Sequence, residues 1–519
     1  MKMYVTYLIL KSSIVFLTIS SFLTNKISVT GHSEKEYSLL LISFDGFRWD
    51  YLSNMRPDNI PNFQRVISSG VHAKEGLKNV FPTNTLPNHW SMVTGLYPES
   101  HGVLDNHMRD LNIQKIFVPL YENNSYQNDF RYYDAGGEPI WVTNQIQKEH
   151  GRSGSIMWWG SENSVKWVKP TFQMPYDDMV AFEKRIDTII QLFNSEYPIN
   201  LGLVYFPEPD HTAHIYGPNS DEVVKQILNA DHIIGYLLKK LEDSDLLDDL
   251  NIIITSDHGF TNISKDTVIN LDNIIDSSHY DLLTHGPMSA VSIFPKEGDL
   301  EEVFSNLHDA SIKGQFNVYK SEEIPDRFYY KHNPRVPPIL AVAKPPYSFV
   351  TNGDNFTLAG NHGYDNEISD MHPFFMAIGP SFKKGFLVDS FNIVDIYPLM
   401  CHILGLHPSA NNGSMKVVSL LLHDGPENTM WTFGTYILVL IVIASIGGVF
   451  TVAACRQHRY LKRRILQLRL SPLQTSIKYS TPPTGDAKTS LLSGDDEDED
   501  DFDDAHDDDK MLEIVTNKW

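Results

Sequence analysis

The chain has 519 residues, 42% hydrophobic, 11% aromatic and 21% charged, which is the make-up of a folded protein and excludes a wholly disordered one. Its formal net charge of −23 comes from 42 basic and 65 acidic residues. Twelve of those acids crowd into residues 495–509, so the balance says little about a substrate. With only Cys401 and Cys455, a disulfide framework is excluded, and an extracellular domain must rest on its core.

Residues 1–25 read as a secretory signal peptide: Lys2, then apolar runs at 5–10 and 14–23 without an acid. From there to about Leu422, strand-like runs alternate with helical patterns. The runs are "YSLLLISF", "SGSIMWW", "NLGLVYF" and "LNIIITS", and the helices fall near 60–69, 179–194 and 220–241. Continuous apolar strands between amphipathic helices imply an α/β domain over 33–422, with a mostly parallel sheet flanked by helices. Cys401, in "YPLMCHILGL", reads as a buried helix residue. The apolar run 433–455 is long enough for a single transmembrane helix. Arg456, Arg459, Lys462, Arg463 and Arg464 follow at once and put the C-terminal side in the cytosol. The acidic remainder, 456–519, is expected to be a disordered cytoplasmic tail. The stalk "HDGPEN" would hold the domain close to the membrane, and Cys455 sits where S-acylation is a chemical option. Sequons at Asn123, Asn262, Asn355 and Asn412 all precede the span, as glycosylation outside the cell requires. Together these features describe a single-pass type I cell-membrane protein.

Functional groups in such a sheet collect beyond the carboxyl ends of its strands. "LLLISFDGF" delivers Asp45, "LGLVYFPEPDHTAH" delivers Asp210 and His214, and "IIITSDHG" delivers Asp257 and His258. "GNHGYDN" offers His362 in a Gly-bounded loop. Each alone is an ordinary helix cap or a satisfied polar residue. Together, three Asp and three His suit a divalent metal such as zinc. Asp210 and His214 share one side of a helical turn, and spacing leaves His211 as a rival ligand. In "NVFPTNTLPNHW", Thr85 stands between Pro82 and Pro87, in a tight turn that would expose a hydroxyl. A free threonine is a poor nucleophile and needs activation. Two metals about 4 Å apart clamp both the attacking and the leaving oxygen of a displacement at phosphorus.

The segments "SFDGFRWDYL", "NTLPNHWSMVTGLYPESHGVLDN", "EPIWVTNQ", "EPDHTAHIYGP", "ITSDHG", "GNHGYD" and "MHPFFMAIGP" resemble the ecto-nucleotide pyrophosphatase/phosphodiesterase family of the alkaline phosphatase superfamily. They cover residues 38 to about 405 in the family's order, and the chain is most similar to the short type I members, the fourth and fifth of the vertebrate series. The resemblance implies an alkaline phosphatase-like fold and extracellular hydrolysis of nucleotides, dinucleotides or other phosphodiesters through a phospho-threonine. It implies two Zn2+: one held by Asp45, Asp257, His258 and the Thr85 oxygen, the other by Asp210, His214 and His362. It further implies Asn106 on a non-bridging phosphate oxygen and Tyr176, in "MPYDD", against a nucleobase. No stable nucleic-acid partner is expected. Two departures bear on the substrate: Asn84 replaces a lysine, and Leu86 replaces an aromatic that would stack on a base. They leave open two rivals, a phospholipase-C-like or glycerophosphodiester specificity and a catalytically weak cell-surface recognition protein.

Overall fold

The computed structural model describes residues 37–110, 115–117, 130–284, 286–354, 356–423 and 426–470. The expected signal peptide, the tail beyond Leu470 and the sequons at Asn123 and Asn355 lie outside them.

The Ser38–Phe44 strand carries the continuous apolar run Leu39–Ile42 because it is buried on both faces. It is a central strand, parallel to Leu201–Phe206 on one side and to Leu250–Thr255 on the other. The full sheet runs Phe386–Val388, Val71–Ala73, Phe375–Ile378, Leu250–Thr255, Ser38–Phe44, Leu201–Phe206, Ser153–Ile156, Phe172–Met174. Phe375–Ile378 is antiparallel to both of its neighbours, and every other pairing is parallel, as a mostly parallel sheet requires.

Register decides where the site forms. Phe44 pairs with Phe206 and Ser43 with Thr255, so the three central strands end at one level. The polar residues that follow each strand therefore meet at one edge.

Helices cover the sheet. Asp221–Asp243 begins at Ser220, whose Oγ accepts the Val223 N–H, and carries Asp221 and Glu222 in its positive first turn. Its buried stripe includes Val223, Ile227, Ile234, Leu237 and Leu241, at helical spacing. Truncating Leu237, which is fully buried, would cost roughly 2–5 kcal/mol. Cys401 is buried in Ile396–Ile403.

A second sheet escaped the sequence reading. Tyr280–Leu282, Ala290–Pro295, Ile339–Ala343 and Phe316–Lys320 form a four-stranded antiparallel layer in that spatial order. It has its own core, including Ile293, Leu307, Phe316, Ile339 and Phe349. Half-buried strands such as Ala290–Pro295 lack the continuous apolar run that marks the parallel ones.

The described residues up to Thr435 form one compact unit and those from Tyr436 another. Pro426–Leu470 is one helix of 45 residues that contains the expected span. Among the described residues it is the one helix long and apolar enough to cross a membrane.

Candidate active site

Asp45 follows the Ser38–Phe44 strand through a turn at Gly46, whose φ of +67° favours glycine. A Cβ there would lie 2.8 Å from Phe260 and 3.0 Å from the Asp210 backbone, so the missing side chain lets two site segments touch. The Gly46 N–H donates to Asp257 Oδ1 and the Asp210 N–H to the Asp45 carbonyl. Asp210 opens the Asp210–Tyr216 helix, placing His214 one turn on. Asp257 and His258 leave the Leu250–Thr255 strand fully buried.

The loop carrying His362 is tied to the segment before Thr85. The His362 Nδ1–H donates to the Thr83 carbonyl at 2.9 Å, and the Gly363 N–H donates to Thr83 Oγ1 at 2.9 Å. Thr85 is the first residue of the Thr85–Thr94 helix, and its Oγ1 lies 3.5 Å from His258 Nε2. Asn84 makes no side-chain cap; instead the Leu86 N–H at this helix start donates to Asn106 Oδ1 at 2.9 Å.

All six candidate ligands and Thr85 therefore come together. His258 Nε2 is 3.3 Å from both Asp45 Oδ1 and Asp257 Oδ2, and 3.9 Å from Asp210 Oδ1. Asp210 Oδ1 is 3.4 Å from His362 Nε2 and 3.6 Å from His214 Nε2, and those two nitrogens are 3.2 Å apart. Two overlapping ligand groups emerge, Asp45–Asp257–His258 and Asp210–His258–His362. The shorter distances put His258 with the first. Neither group includes His211, whose place next to Asp210 turns it about 100° around the helix from that ligand; His214 stands outside both groups too and meets the second through Asp210 Oδ1 and His362 Nε2.

The donor set fits a divalent metal. Each imidazole donates Nδ1–H to a backbone carbonyl, His214 to Gly360, His258 to Gly259 and His362 to Thr83. That leaves every Nε2 lone pair facing the cluster, the tautomer a metal requires. Asp45 Oδ1, Asp210 Oδ1 and Asp257 Oδ2 are buried and accept no hydrogen bond. Their sister oxygens are held on Asp45 by the Tyr205 hydroxyl and on Asp257 by the Gly46 and His258 N–H groups. Burial, then the charges of Asp257 and Asp210, pushes the Asp45 carboxyl well above its usual range. Burial and Asp257 do the same to Asp210. Burial also drives His258 and His362 well below their ordinary value, and His214 down to about 4. Among the described residues no Lys or Arg pairs with the three carboxylates. Such a concentration of buried anions calls for cations from outside the chain.

Beside the cluster, a cleft of about 220 Å³ is lined by Asn84, Asp105, Asn106, His214, Asn361 and His362, among others. Asn84 Nδ2 donates to Asp105 Oδ1 at 2.6 Å, and burial raises that carboxyl to about 6. Tyr176 is not in this lining. It stacks on Trp159 and touches Tyr205, whose hydroxyl donates to Asp45. Leu86 is 1% exposed within the main core, so what its position offers the cleft is a backbone N–H already taken by Asn106.

Sequence reasoning overlooked the second layer. His89 hydrogen-bonds the Thr85 carbonyl through Nδ1 and Ser43 through Nε2. Asn88 accepts the Val80 N–H and donates to the Asn84 carbonyl, bracing the turn. The density of polar side chains in "PTNTLPNH" was a signal for these; nothing marked Tyr205, a tyrosine inside an apolar strand.

A mixed α/β sheet carrying buried metal-type ligands around a helix-borne hydroxyl defines a metal-dependent hydrolase. A family model for "Type I phosphodiesterase / nucleotide pyrophosphatase" matches residues 39–365. The chain is 42% identical over 404 residues to human "Ectonucleotide pyrophosphatase/phosphodiesterase family member 5", covering 78% of this chain and 82% of that protein. It is 43% identical over 419 residues to human "Bis(5'-adenosyl)-triphosphatase ENPP4", covering 80% and 87%. A solved structure of inactive murine ectonucleotide pyrophosphatase/phosphodiesterase 5, a threonine-to-alanine variant in complex with AMP, is also similar. It superposes with a TM-score of 0.70 at 42% identity, over 75% of this chain and all of that one. The chain belongs to the type I phosphodiesterase/nucleotide pyrophosphatase family, and it is a hydrolase of that kind.

Proposed function

We propose that this enzyme cleaves phosphodiester and pyrophosphate bonds of extracellular nucleotides or dinucleotides, with Thr85 as nucleophile and two zinc ions as cofactors. Asp45, Asp257, His258 and Thr85 would hold one ion, and Asp210, His214 and His362 the other. When bound, zinc supplies Lewis acidity that lowers the Thr85 hydroxyl pKa and offsets phosphate charge. Thr85 Oγ attacks phosphorus, the Oγ–P bond forms as the bond to the leaving oxygen breaks, and water later releases the phosphoryl group from Thr85. The positive end of the Thr85–Thr94 helix faces the incoming anion. The Leu86 N–H fixes the Asn106 carbonyl oxygen, so Asn106 Nδ2 is the donor left for a non-bridging phosphate oxygen. Tyr176, through its stack on Trp159, is the candidate platform for a base.

The observation that carries this reading is the set of buried, unsatisfied carboxylate oxygens facing the three Nε2 atoms beside Thr85 Oγ1. A relative named as a bis(5'-adenosyl)-triphosphatase and another solved with AMP support nucleotides over lipid headgroups. The intact ligand set disfavours a binding-only surface protein.

The same reading places residues 1–25 as a removed signal peptide and 33–422 as the extracellular catalytic domain. Residues 433–455 would cross the cell membrane and 456–519 would lie in the cytosol. Asn262 and Asn412, both exposed, would carry glycans, with Asn123 and Asn355. The test is an assay of the purified ectodomain on NAD, ADP, dinucleotide polyphosphates, lysophospholipids and choline-phosphate esters. Nucleotide and dinucleotide turnover is expected; preferential cleavage of the choline esters would overturn the substrate class.

A further inference from the structure

The Pro426–Leu470 helix does not stop where its apolar run ends at Cys455. It continues for 15 residues, about 22 Å at 1.5 Å per residue. Arg456, Arg459 and Arg463 follow at i, i+3 and i+7 and share one face, with Lys462 at its border. Leu461, Ile465 and Leu468 lie on the opposite face. All of these side chains are exposed. Nothing nearby in sequence neutralises the cations, because residues 428–485 contain no Asp or Glu. The next concentrated opposite charge is the block of 12 acids in residues 495–509.

We infer that this basic face is a docking site for the chain's own acidic segment, residues 495–509. The 24 residues from 471 to 494 join the two, and fully extended they span about 80 Å, well beyond the length of the basic face. Tethering raises the local concentration of the segment to the millimolar range, so weak charge pairing suffices. Charge complementarity sets the partner: Arg456, Arg459 and Arg463 on the face and Lys462 at its border, against 12 acids in 15 residues. Anionic phospholipid headgroups offer the same chemistry to the same face, and they compete with the tail. The consequence is a switch: while the tail is docked, the basic face is closed to anionic lipid, and masking the tail's charge opens it. This inference rests on the membrane placement of 433–455 but not on the hydrolytic chemistry.

The test uses the full-length protein in phosphatidylcholine nanodiscs, spin-labelled at Cys455 and at a cysteine introduced by Ala505→Cys; Cys401 is buried. Double electron–electron resonance should show a population within about 25 Å, the reach from Cys455 along the basic face. That population should shrink between 0.1 M and 1 M salt, as the Debye length falls from about 10 Å to about 3 Å. It should vanish when the acids of 495–509 become their amides, and when Arg456, Arg459 and Arg463 become glutamine. Discs containing phosphatidylserine should displace the wild-type tail. A short-distance population that survives either set of neutralising substitutions overturns the proposal, as does its absence from neutral discs at low salt. Phosphatidylserine binding by the basic face that is unchanged when the tail is neutralised makes lipid the sole occupant and overturns it too. Protease protection of the tail in sealed vesicles, tested separately from the discs, reports the membrane reading.

Discussion

Removing the metals should weaken the catalytic domain more at pH 8 than at pH 5. In the metal-free fold, burial and mutual repulsion hold Asp45 and Asp210 well above the ordinary 3.8. Their folded forms keep protons that the unfolded chain has released. Stability from this source is complete below pH 3.8 and is lost as pH rises through the folded values. The imidazoles run the other way: His214, lowered from 6.5 to about 4, contributes stability above pH 6.5 that is lost on falling towards 4. At about 1.4 kcal/mol per unit, that group alone is worth about 3 kcal/mol. The trends oppose each other up to pH 6.5, where the imidazole contribution is complete; above it Glu162, which burial pushes up to about 7, still loses its proton, so the chelated domain should lose stability from pH 6.5 to 8. The metal-loaded domain behaves oppositely, because protons compete for the same ligands. Each ion held at a thousand times its Kd adds about 4 kcal/mol, so two separate the forms by about 8 kcal/mol and one by about 4. Urea unfolding of loaded and chelated protein at pH 5, 6.5 and 8, with metal content measured alongside, reads both quantities. A chelated domain that gains stability from pH 6.5 to 8, or a gap that does not widen with pH, would refute the reasoning.

Thr85→Ala should lower turnover on the order of 10⁴-fold or more while six protein ligands retain metal, and Thr85→Ser should keep partial activity; near-normal hydrolysis by the alanine variant excludes covalent catalysis. Asn106→Ala should cost about 10²-fold in kcat, and Asn106→Asp, which still accepts the Leu86 N–H, should be no better if the amide donor is what matters. The cleft lining offers a dianionic monoester amides and the Asp105 carboxyl but no Lys or Arg, so p-nitrophenyl phosphate should be a far poorer substrate than thymidine monophosphate p-nitrophenyl ester; equal kcat/KM on the two defeats that assignment. Asn84→Lys would meet Asp105, hold that carboxyl ionised at lower pH and return a cation to the cleft. It should reduce KM for nucleotides by several-fold, and an unchanged KM would show that the lost lysine does not govern affinity.

Local physics was enough for a large part of the molecule. Strands buried on both faces are mostly apolar, so Ser38–Phe44, Leu201–Phe206 and Leu250–Thr255 announce themselves, as do the polar residues that follow them. The candidate ligands were legible because a cluster of Asp and His beyond such strands has few structural uses. The order of strands was not legible, nor the antiparallel sheet of Ala290–Pro295 and its partners, whose half-buried faces leave a broken pattern. Leu86 shows the limit most clearly. The resemblance set an aromatic that would stack on a base at its position, yet packing draws the Leu86 side chain into the core and turns only its N–H to Asn106. Sequence determines which groups a segment carries and roughly where each strand ends. Tertiary register alone decides which of them meet, since Phe44–Phe206 and Ser43–Thr255 pairing brings together residues more than 150 positions apart. It also decides that Asp45, Asp210 and Asp257 meet with no Lys or Arg among the described residues to pair with them, which makes the cluster suited to a bound metal.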